Sequence, residues 1–553
     1  MRQWGLQRHA RDAIWSSAAS YKRFAARGRE QYKERVKNKP VAPEGVSPAL
    51  RRYLYFTAAV TGAAIMIVEI LGAKMLAPYV GTSHFVWTAQ IAVTLLALAG
   101  GYYIGGRLVD RSPDLKRLYW AILWAAVYLC FAVLVIEPVA YWCLQFRLAM
   151  GSLLASAFLF LIPLALLAMA GPFIVRVLSA SVAGVGGNMG RLTAISTLGS
   201  VVGTALIGYV LIPLAPNSVT MYGTAGALVL IVLGYFGPRR KAGLAPAIVA
   251  SALAAALAAP GIWREQQPRF SRVDELARRN SEFGLLQVIQ DKTSSRRYYL
   301  NDYLTQNTYD TQEKKSVSMF TYMLYGLAHA YTPRITNVLC IGLGVGIVPM
   351  EFARDGARVD VVEINPAVVP LATKFFDLEP ARLNIIYGDG RHFLNECNRK
   401  YDTISLDAFL GDSSPSHLMS RQAFASMKRV LNPDGTLVIN TFADLERGHD
   451  FYAASLSKTL ASVFRSVRIH SGRDGNTMFV ASNHADLVPV REFDFARVHS
   501  SALSRVREAF EGLRETDPVQ GIVLTDDFNP VEFHDARNRE ALRRLLAMEV
   551  RNL

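Results

Sequence analysis

Three acidic residues stand at the ends of three successive apolar runs, and a glycine cluster stands at the end of the run before them. Residues 335–341 run into Gly342-Leu343-Gly344-Val345-Gly346; Val359 leads to Glu363; Leu383–Tyr387 leads to Asp389-Gly390; Thr403–Leu406 leads to Asp407. Glycines after a strand let the backbone approach a ligand closely, and the N-terminus of a following helix offers unpaired N–H groups. Glu363, about 20 residues beyond the glycines, is placed to accept hydrogen bonds from two ribose hydroxyls. Asp389 is placed to hold an adenine amino group. A glycine cluster alone is a weak signal, but an acid at the end of each following strand, in strand order, is a strong one. Each acid also has a plain structural reading: Asp389 as a turn former before Gly390, Glu363 as a charge at a helix N-terminus, Asp407 as a loop cap. Asp412, followed by Ser413-Ser414-Pro415, fits a turn as readily as a catalytic base.

Positioning these groups requires strands that alternate with helices. That alternation, from about residue 311 to 485, predicts a doubly wound, mostly parallel sheet with ligands at the carboxyl ends of its strands. A fifth strand is expected at Leu437–Asn440, after the Pro433-Asp434-Gly435 turn. Ahead of this domain, 284–290, 296–300 and 303–308 read as a small antiparallel hairpin subdomain within 263–310. Residues 486–553 read as a helical extension, and Ser482 as an exposed position.

The rest of the chain is of another kind. Of its 553 residues 51% are hydrophobic and 19% charged, fewer charges than a soluble protein carries. Six segments are long and apolar enough to cross a bilayer: about 53–75, 86–106, 118–137, 152–175, 192–213 and 219–236. A seventh, 243–260, is Ala-rich and weaker. The net charge of +15 resolves by region: residues 1–52 hold 13 Lys+Arg against 4 Asp+Glu, 53–262 hold 11 against 4, and the remainder 36 against 37. The excess therefore belongs to a basic cytoplasmic tail and to loops such as Arg107, Arg111, Lys116 and Arg117, as a positive-inside bias requires, and nucleic-acid binding is not expected. No leader peptide is read in the first fifty residues, and Ile14, Ala18, Tyr21 and Phe24 fall at helical spacing. Glu69 lies deep in a span and is a functional candidate, equally readable as a structural hydrogen-bond donor or acceptor. Gly100-Gly101, Gly105-Gly106 and Gly199–Gly208 read first as packing contacts and second as a substrate path. Cys130, Cys143, Cys340 and Cys397 have neither metal-site nor disulfide-framework spacing, so no metal is expected.

The stretch from about 284 to 482 resembles the spermidine synthase (polyamine aminopropyltransferase) family. The chain beyond residue 53 is similar to bacterial proteins that fuse a multi-pass, transporter-like region to such a domain. In Asn301-Asp302-Tyr303-Leu304-Thr305-Gln306, Asp302 and Gln306 match the family's Leu-Asp-Gly-x-x-Gln segment, which implies that Gln306 touches the tail of the sulfonium cofactor. Glu363 matches the ribose acid, Asp389-Gly390 the adenine contact, and Asp407 the first acid of Asp-x-x-Asp-Pro. The resemblance implies a Rossmann-like, methyltransferase-type sheet. Three departures stand out. Val345 replaces the acid of Gly-Gly-Gly-Asp-Gly, Phe320-Thr321-Tyr322 replaces Tyr-His-Glu, and Leu410 replaces the second acid of the catalytic loop, near Asp412. Tyr322 itself reads as core.

The reading that leads is a membrane-anchored transferase that binds decarboxylated S-adenosylmethionine through Gln306, Gly342, Gly344, Gly346, Glu363, Asp389 and Gly390. It moves the aminopropyl group to a small-molecule amine, with Asp407, aided by Asp412, as the catalytic acid–base. Intact S-adenosylmethionine serving a methyltransferase, and a transporter or sensor with a non-catalytic nucleoside or polyamine site, are the alternatives. The expected setting is the inner (cytoplasmic) membrane, with the lipid bilayer as partner, the soluble domain in the cytoplasm, and homo-oligomer formation left open. Sidedness turns on 243–260, expected to lie at the interface or on the helix bundle.

Overall fold

A computed structural model describes residues 46–530, apart from 82–83, 180–184, 238–242, 267–271, 410–413, 447, 473–475 and 518. Asp412, the pattern at 14–24 and residues 531–553 lie outside the described residues.

Seven helices among the described residues are long and apolar enough to cross a membrane. They are α1 (Pro48–Val80), α2 (His84–Arg111), α3 (Leu115–Cys143), α4 (Leu148–Leu178), α5 (Val185–Leu214), α6 (Asn217–Phe236) and α7 (Leu244–Gln266). Ser47 Oγ accepts from Leu50 N and Pro48 follows it, so α1 starts where an N-terminal donor is satisfied and a missing N–H costs nothing. Helices α4 and α5 each contain one π turn, Ala157–Leu161 and Ile207–Leu211. Pro163 and Pro213 follow these turns by two residues and explain them, because a proline ring cannot sit against the carbonyl four residues back.

The glycines divide by face. A Cβ on Gly199 would stand 2.0 Å from Ala59 O, and one on Gly203 2.7 Å from Ala63 Cα. These two contacts lie one turn apart on both helices, so α1 and α5 run side by side in the same direction at backbone distance. Gly101 meets Ala165 O in the same manner, whereas Gly100, Gly106 and Gly208 have open space at that position. The first group is packing, as expected. Helix α7 buries Ala247, Ala250 and Ala254 against α3 and α6 and leaves Ile248, Val249 and Leu253 outward, so the weak seventh segment is a full helix packed on the bundle. Glu69 is half-buried in α1.

Beyond residue 272 a five-stranded antiparallel sheet comes first: β1 (Val273–Ser281), β2 (Gly284–Asp291), β3 (Arg296–Asn301), β4 (Leu304–Asp310) and β5 (Lys315–Ser316). Its first strand was not expected, because Val273–Ser281 alternates charge rather than apolar residues. Next follow α8 (Met319–Tyr331), β6 (Asn337–Ile341), α9 (Ile347–Arg354), β7 (Arg358–Glu363), α10 (Val368–Phe375), β8 (Asn384–Tyr387) and α11 (Gly390–Glu396). Then come β9 (Tyr401–Leu406), α12 (Arg421–Val430), β10 (Leu431–Phe442), α13 (Phe451–Ala461), β11 (Ser466–Ser471), β12 (Asn476–Ser482), α14 (Leu503–Glu511) and β13 (Leu513–Arg514).

The large sheet has the order β13-β11-β12-β10-β9-β6-β7-β8, parallel from β10 to β8 and antiparallel at β12, β11 and β13. Strand alternation sends Val338, Cys340 and Val361 to one face under α8, α9 and α14. Leu339, Ile341 and Leu406 go to the other, under α11, α12 and α13. Two expectations are corrected. Ser482 is buried, its hydroxyl donating to Gly435 O at 2.9 Å. The described part of the extension is not only helical, since β13 adds a strand to the sheet edge and Leu524 is buried, with Arg421 N donating to Leu524 O at 2.8 Å and Leu524 N to Thr459 Oγ1 at 2.8 Å.

Gly199→Val should lower the thermal midpoint of the detergent-solubilised protein, with about 1–3 kcal/mol lost to overpacking. Gly208→Val, where the Cβ position is open, should change it little. Equal effects would show that the contact with Ala59 does not hold α5 to α1.

Candidate active site

Strand order reverses between β6 and β9: the chain leaves β6 toward β7 on one side and returns through β9 on the other. The last backbone bonds before the split are Asp407 N to Ile341 O and Gly342 N to Val362 O, each 2.9 Å. A Cβ on Gly342 would stand 2.1 Å from Asp407 O, and its φ is +97°, so this position accepts glycine alone. Gly346, at φ +87°, begins α9 against Leu378 and does not line the cavity; its part is to let the helix start. Gly344, at φ +53°, has open space where a Cβ would be, and that space belongs to the cavity.

The cavity measures about 590 Å³. It brings together Gln306, Gly342, Gly344, Glu363, Asp389, Gly390 and Asp407. Every expected site residue among those described, Gly346 excepted, faces one space.

The acids are fixed by local bonds. Glu363 Oε2 accepts from Leu343 N (2.9 Å) and Oε1 from Asn365 N (2.7 Å), which ties the end of β7 to the glycine turn; burial pushes its carboxyl above the usual range. Asp389 Oδ1 accepts from His392 N (2.9 Å) and caps α11, while Oδ2 pairs with His417 Nε2 (2.9 Å). Burial pushes Asp389 up, but the His392 N–H and the His417 pairing outweigh it and hold it below the usual value. Asp389 is thus a helix cap rather than the turn former of its plain structural reading, and its carboxylate meets the cavity while already doubly engaged. Asp407, at the end of β9, takes one hydrogen bond, from Asn440 Nδ2 at 2.9 Å, and burial pushes it up to about 6. Asn440 is itself set by Asn476 Nδ2, which donates to Asn440 Oδ1 at 3.0 Å.

Asp302 does not line the cavity. It turns between β3 and β4 at φ +47°, with Oδ1 accepting from Leu285 N (2.9 Å), and Tyr303 follows at φ +62° where the resembled family has glycine. Phe320 and Thr321 line the cavity; Tyr322 does not, its hydroxyl donating to Ser316 O (2.6 Å) and accepting from His499 N (3.2 Å). Val345 contributes an apolar wall.

Several lining residues escaped sequence reasoning: Asn440, Asn476, His417, Asn307 and Arg505. Only Asn440 had left a signal, as a polar residue that ends an apolar strand. Outside the cavity, Asp444, Glu446 and His449 bring ligand atoms within 4.8 Å of one another just past β10.

Residues 318–470 match the family model of the spermine/spermidine synthase domain. A polyamine aminopropyltransferase of Vibrio vulnificus is 36% identical over 141 residues, 24% of this chain and 46% of that protein. A probable polyamine aminopropyl transferase of Bifidobacterium longum is 28% identical over 246 residues, 40% and 54% of the two chains. An N-terminal histidine N-methyltransferase of Emericella nidulans is 31% identical over 140 residues, 24% of each. The chain spans about half or less of the length of these relatives.

The Asp407 carboxyl generates a pH dependence with a definite sign. Its ordinary value is 3.8, and burial in the folded chain raises it to about 6. Between those values the native state holds a proton that the unfolded chain lacks, so stability is full below the window and falls as pH rises through it. The loss is at most about 3 kcal/mol for a shift of this size. Denaturation of the wild-type protein and of Asp407→Asn at the two ends of the window should show the wild type losing more; parallel profiles would mean that Asp407 is not buried as described.

Proposed function

We propose that the chain is a membrane-anchored transferase of the spermidine synthase type. It binds an adenosyl sulfonium in the 590 Å³ cavity and moves an alkyl group from that sulfonium to an amine. The carrying observation is the convergence of Glu363, Asp389 and Asp407, each at the end of its own strand, on one cavity floored by Gly342 and Gly344. Glu363 is suited to the ribose hydroxyls, because each of its oxygens keeps a second lone pair after accepting a backbone N–H. Gly342 and Gly344 let the turn backbone approach the sulfonium.

The chemistry asked of the chain is modest. The nitrogen lone pair of a neutral amine forms a bond to the carbon next to sulfur, the carbon–sulfur bond breaks toward sulfur, and a neutral thioether leaves. The nitrogen then sheds a proton. Asp407 suits that role: its carboxylate is desolvated, oriented through Asn440 and Asn476, and titrates close enough to neutrality to take a proton and release it. With decarboxylated S-adenosylmethionine the group moved is aminopropyl. Val345, an apolar residue in place of an acid that would hold the cofactor's amine, favours a second reading in which intact S-adenosylmethionine donates a methyl group; the match to a methyltransferase agrees with it.

The apolar half anchors this domain in the cytoplasmic membrane as a multi-pass bundle of six spans, which accounts for the apolar outward faces of α2 and α5, with α7 packed on the bundle without crossing. The domain faces the cytoplasm, where an adenosyl sulfonium is supplied.

Glu363→Gln should weaken methylthioadenosine binding to the full-length protein by about 1–3 kcal/mol, since the amide places an N–H against Leu343 N or Asn365 N. Unchanged affinity in titration calorimetry would remove the adenosyl reading. Asp407→Asn should abolish release of methylthioadenosine from decarboxylated S-adenosylmethionine, assayed with a panel of diamines, while binding stays within about tenfold. Wild-type kcat/KM should rise with pH through about 6. Parallel loss of binding and turnover would make Asp407 a positioning residue.

For sidedness, Glu396→Cys, at a side chain 71% exposed, is made in a background without the four native cysteines. It should resist an impermeant maleimide until cells are lysed. Labelling of intact cells would place α7 across the bilayer and the domain outside.

A further inference from the structure

The end of the cavity beside Asp389 holds a second polar side chain, brought there from another part of the chain. A short 3₁₀ turn, Ser416–Leu418, follows the loop after β9 and is closed by Leu418 N to Pro415 O and Met419 N to Ser416 O, each 3.0 Å. Its backbone is held from outside as well: Arg391 Nη1 donates to His417 O at 3.1 Å, and Asn529 Nδ2 to Ser416 O at 3.2 Å. His417 thus has a fixed main chain, and its imidazole lines the cavity next to Asp389. Ile341, Pro415 and Leu418, which line the same end, make the surroundings of the pair apolar.

The proton shared by this pair has one place to be. Burial pushes the Asp389 carboxyl up, but the His392 N–H on Oδ1 and the His417 pairing on Oδ2 outweigh it, so the group is ionised and can only accept. The imidazole must therefore donate, from Nε2–H to Oδ2 across 2.9 Å. A neutral imidazole that donates from Nε2 carries its lone pair on Nδ1. Nδ1 of His417 has no hydrogen-bond partner among the described residues, and the side chain is 47% exposed. The pair thus presents to the cavity an acceptor whose direction and tautomer are both set by Asp389.

We infer that His417 is the residue that reads the purine: its Nδ1 accepts from the exocyclic amino group of adenine, and Asp389 is the positioning residue behind the ring. A 6-oxo purine turns an acceptor toward the same nitrogen and is refused, because two lone pairs then face each other. Specificity for adenine thereby belongs to a pair 28 positions apart rather than to one acid. The inference rests on the adenosyl reading of the cavity. It also gives Asp389→Asn a definite consequence. With Oδ1 still capping α11, the new amide turns Nδ2–H toward Nε2, the ring proton moves to Nδ1, and the imidazole becomes a donor toward the base.

The test titrates full-length protein in detergent micelles with methylthioadenosine and methylthioinosine, which differ in the 6-amino against the 6-oxo edge of the base. The wild type should prefer methylthioadenosine by about tenfold or more, and His417→Ala should remove that preference while changing methylthioinosine affinity by no more than about twofold. His417→Phe, which keeps a ring without Nδ1, repeats the comparison should His417→Ala fail to fold. Asp389→Asn should turn the preference toward methylthioinosine, and the double variant His417→Ala/Asp389→Asn should lose that turn, since the ring that carries it is gone. If Asp389 meets the amino group itself, methylthioadenosine affinity holds or rises in His417→Ala and the double variant keeps the turn; either result overturns the inference. Equal falls for both nucleosides in the His417 variants also overturn it and make His417 a structural tie. Wild-type protein that binds both nucleosides equally overturns the inference and leaves the adenosyl reading standing. Wild-type protein that binds neither removes both.

Discussion

The approach of Gly342 to the carbonyl of Asp407 is the constraint on which the soluble half depends. Parallel strands β6 and β9 stay bonded up to Ile341 and Asp407, and the chain then turns away at a position where any side chain would collide with that carbonyl. Because the turn is made by backbone alone, the crevice opens directly above the strand ends, at the reversal of strand order where doubly wound sheets bind ligands. Glu363 fastens the turn from β7, and Asp407 faces it from β9. Two of the acids that define the crevice therefore also border the turn that opens it.

The polar groups are held by unequal means, and that inequality sorts their chemistry. Glu363 and Asp389 each receive backbone N–H groups, which favour a charged carboxylate; in Asp389 they and the His417 pairing prevail, whereas in Glu363 burial outweighs them and pushes the carboxyl up. Asp407 receives one side-chain amide in a desolvated place and rests near the boundary between its two protonation states. Only Asp389 is thus held below its ordinary value, and the two acids that burial pushes up differ in their donors: two backbone N–H groups on Glu363 against one side-chain amide on Asp407.

Much of this was legible in the sequence because it depends on local pattern. Apolar runs ending in Glu363, Asp389 and Asp407 are strands that must stop at the ligand edge, and the order of such runs fixes most of the sheet. What escaped is non-local. Strand β1 carries Asp274, Glu275, Arg278 and Arg279, so its apolar signal is diluted by residues facing solvent or paired across the sheet. Asp389 was read for adenine and lines the cavity; that its carboxylate also accepts from His392 N and pairs with His417, a residue 28 positions away, is what local pattern does not show. Asn440 and Asn476 matter because β10 and β12 are antiparallel neighbours, and Arg505 because α14 packs back over the hairpin. No spacing rule brings residue 505 beside residue 317. Tyr303 runs against local expectation: a bulky residue at positive φ costs roughly 1–2 kcal/mol, which the surrounding hairpin sustains.

The strand-and-strap ending of the domain sets an order of assembly. Leu524 is buried beneath α12 and α13 and bonded to both Arg421 and Thr459, and Arg505 supplies part of the cavity wall. During synthesis the parallel core can form as soon as β10 has left the ribosome, but it stays without a flank until residues more than eighty positions later arrive. Contacts of such sequence separation form slowly. Through that interval the nascent domain has an open apolar face, so it is most exposed to chaperones and proteases in the last moments of its translation.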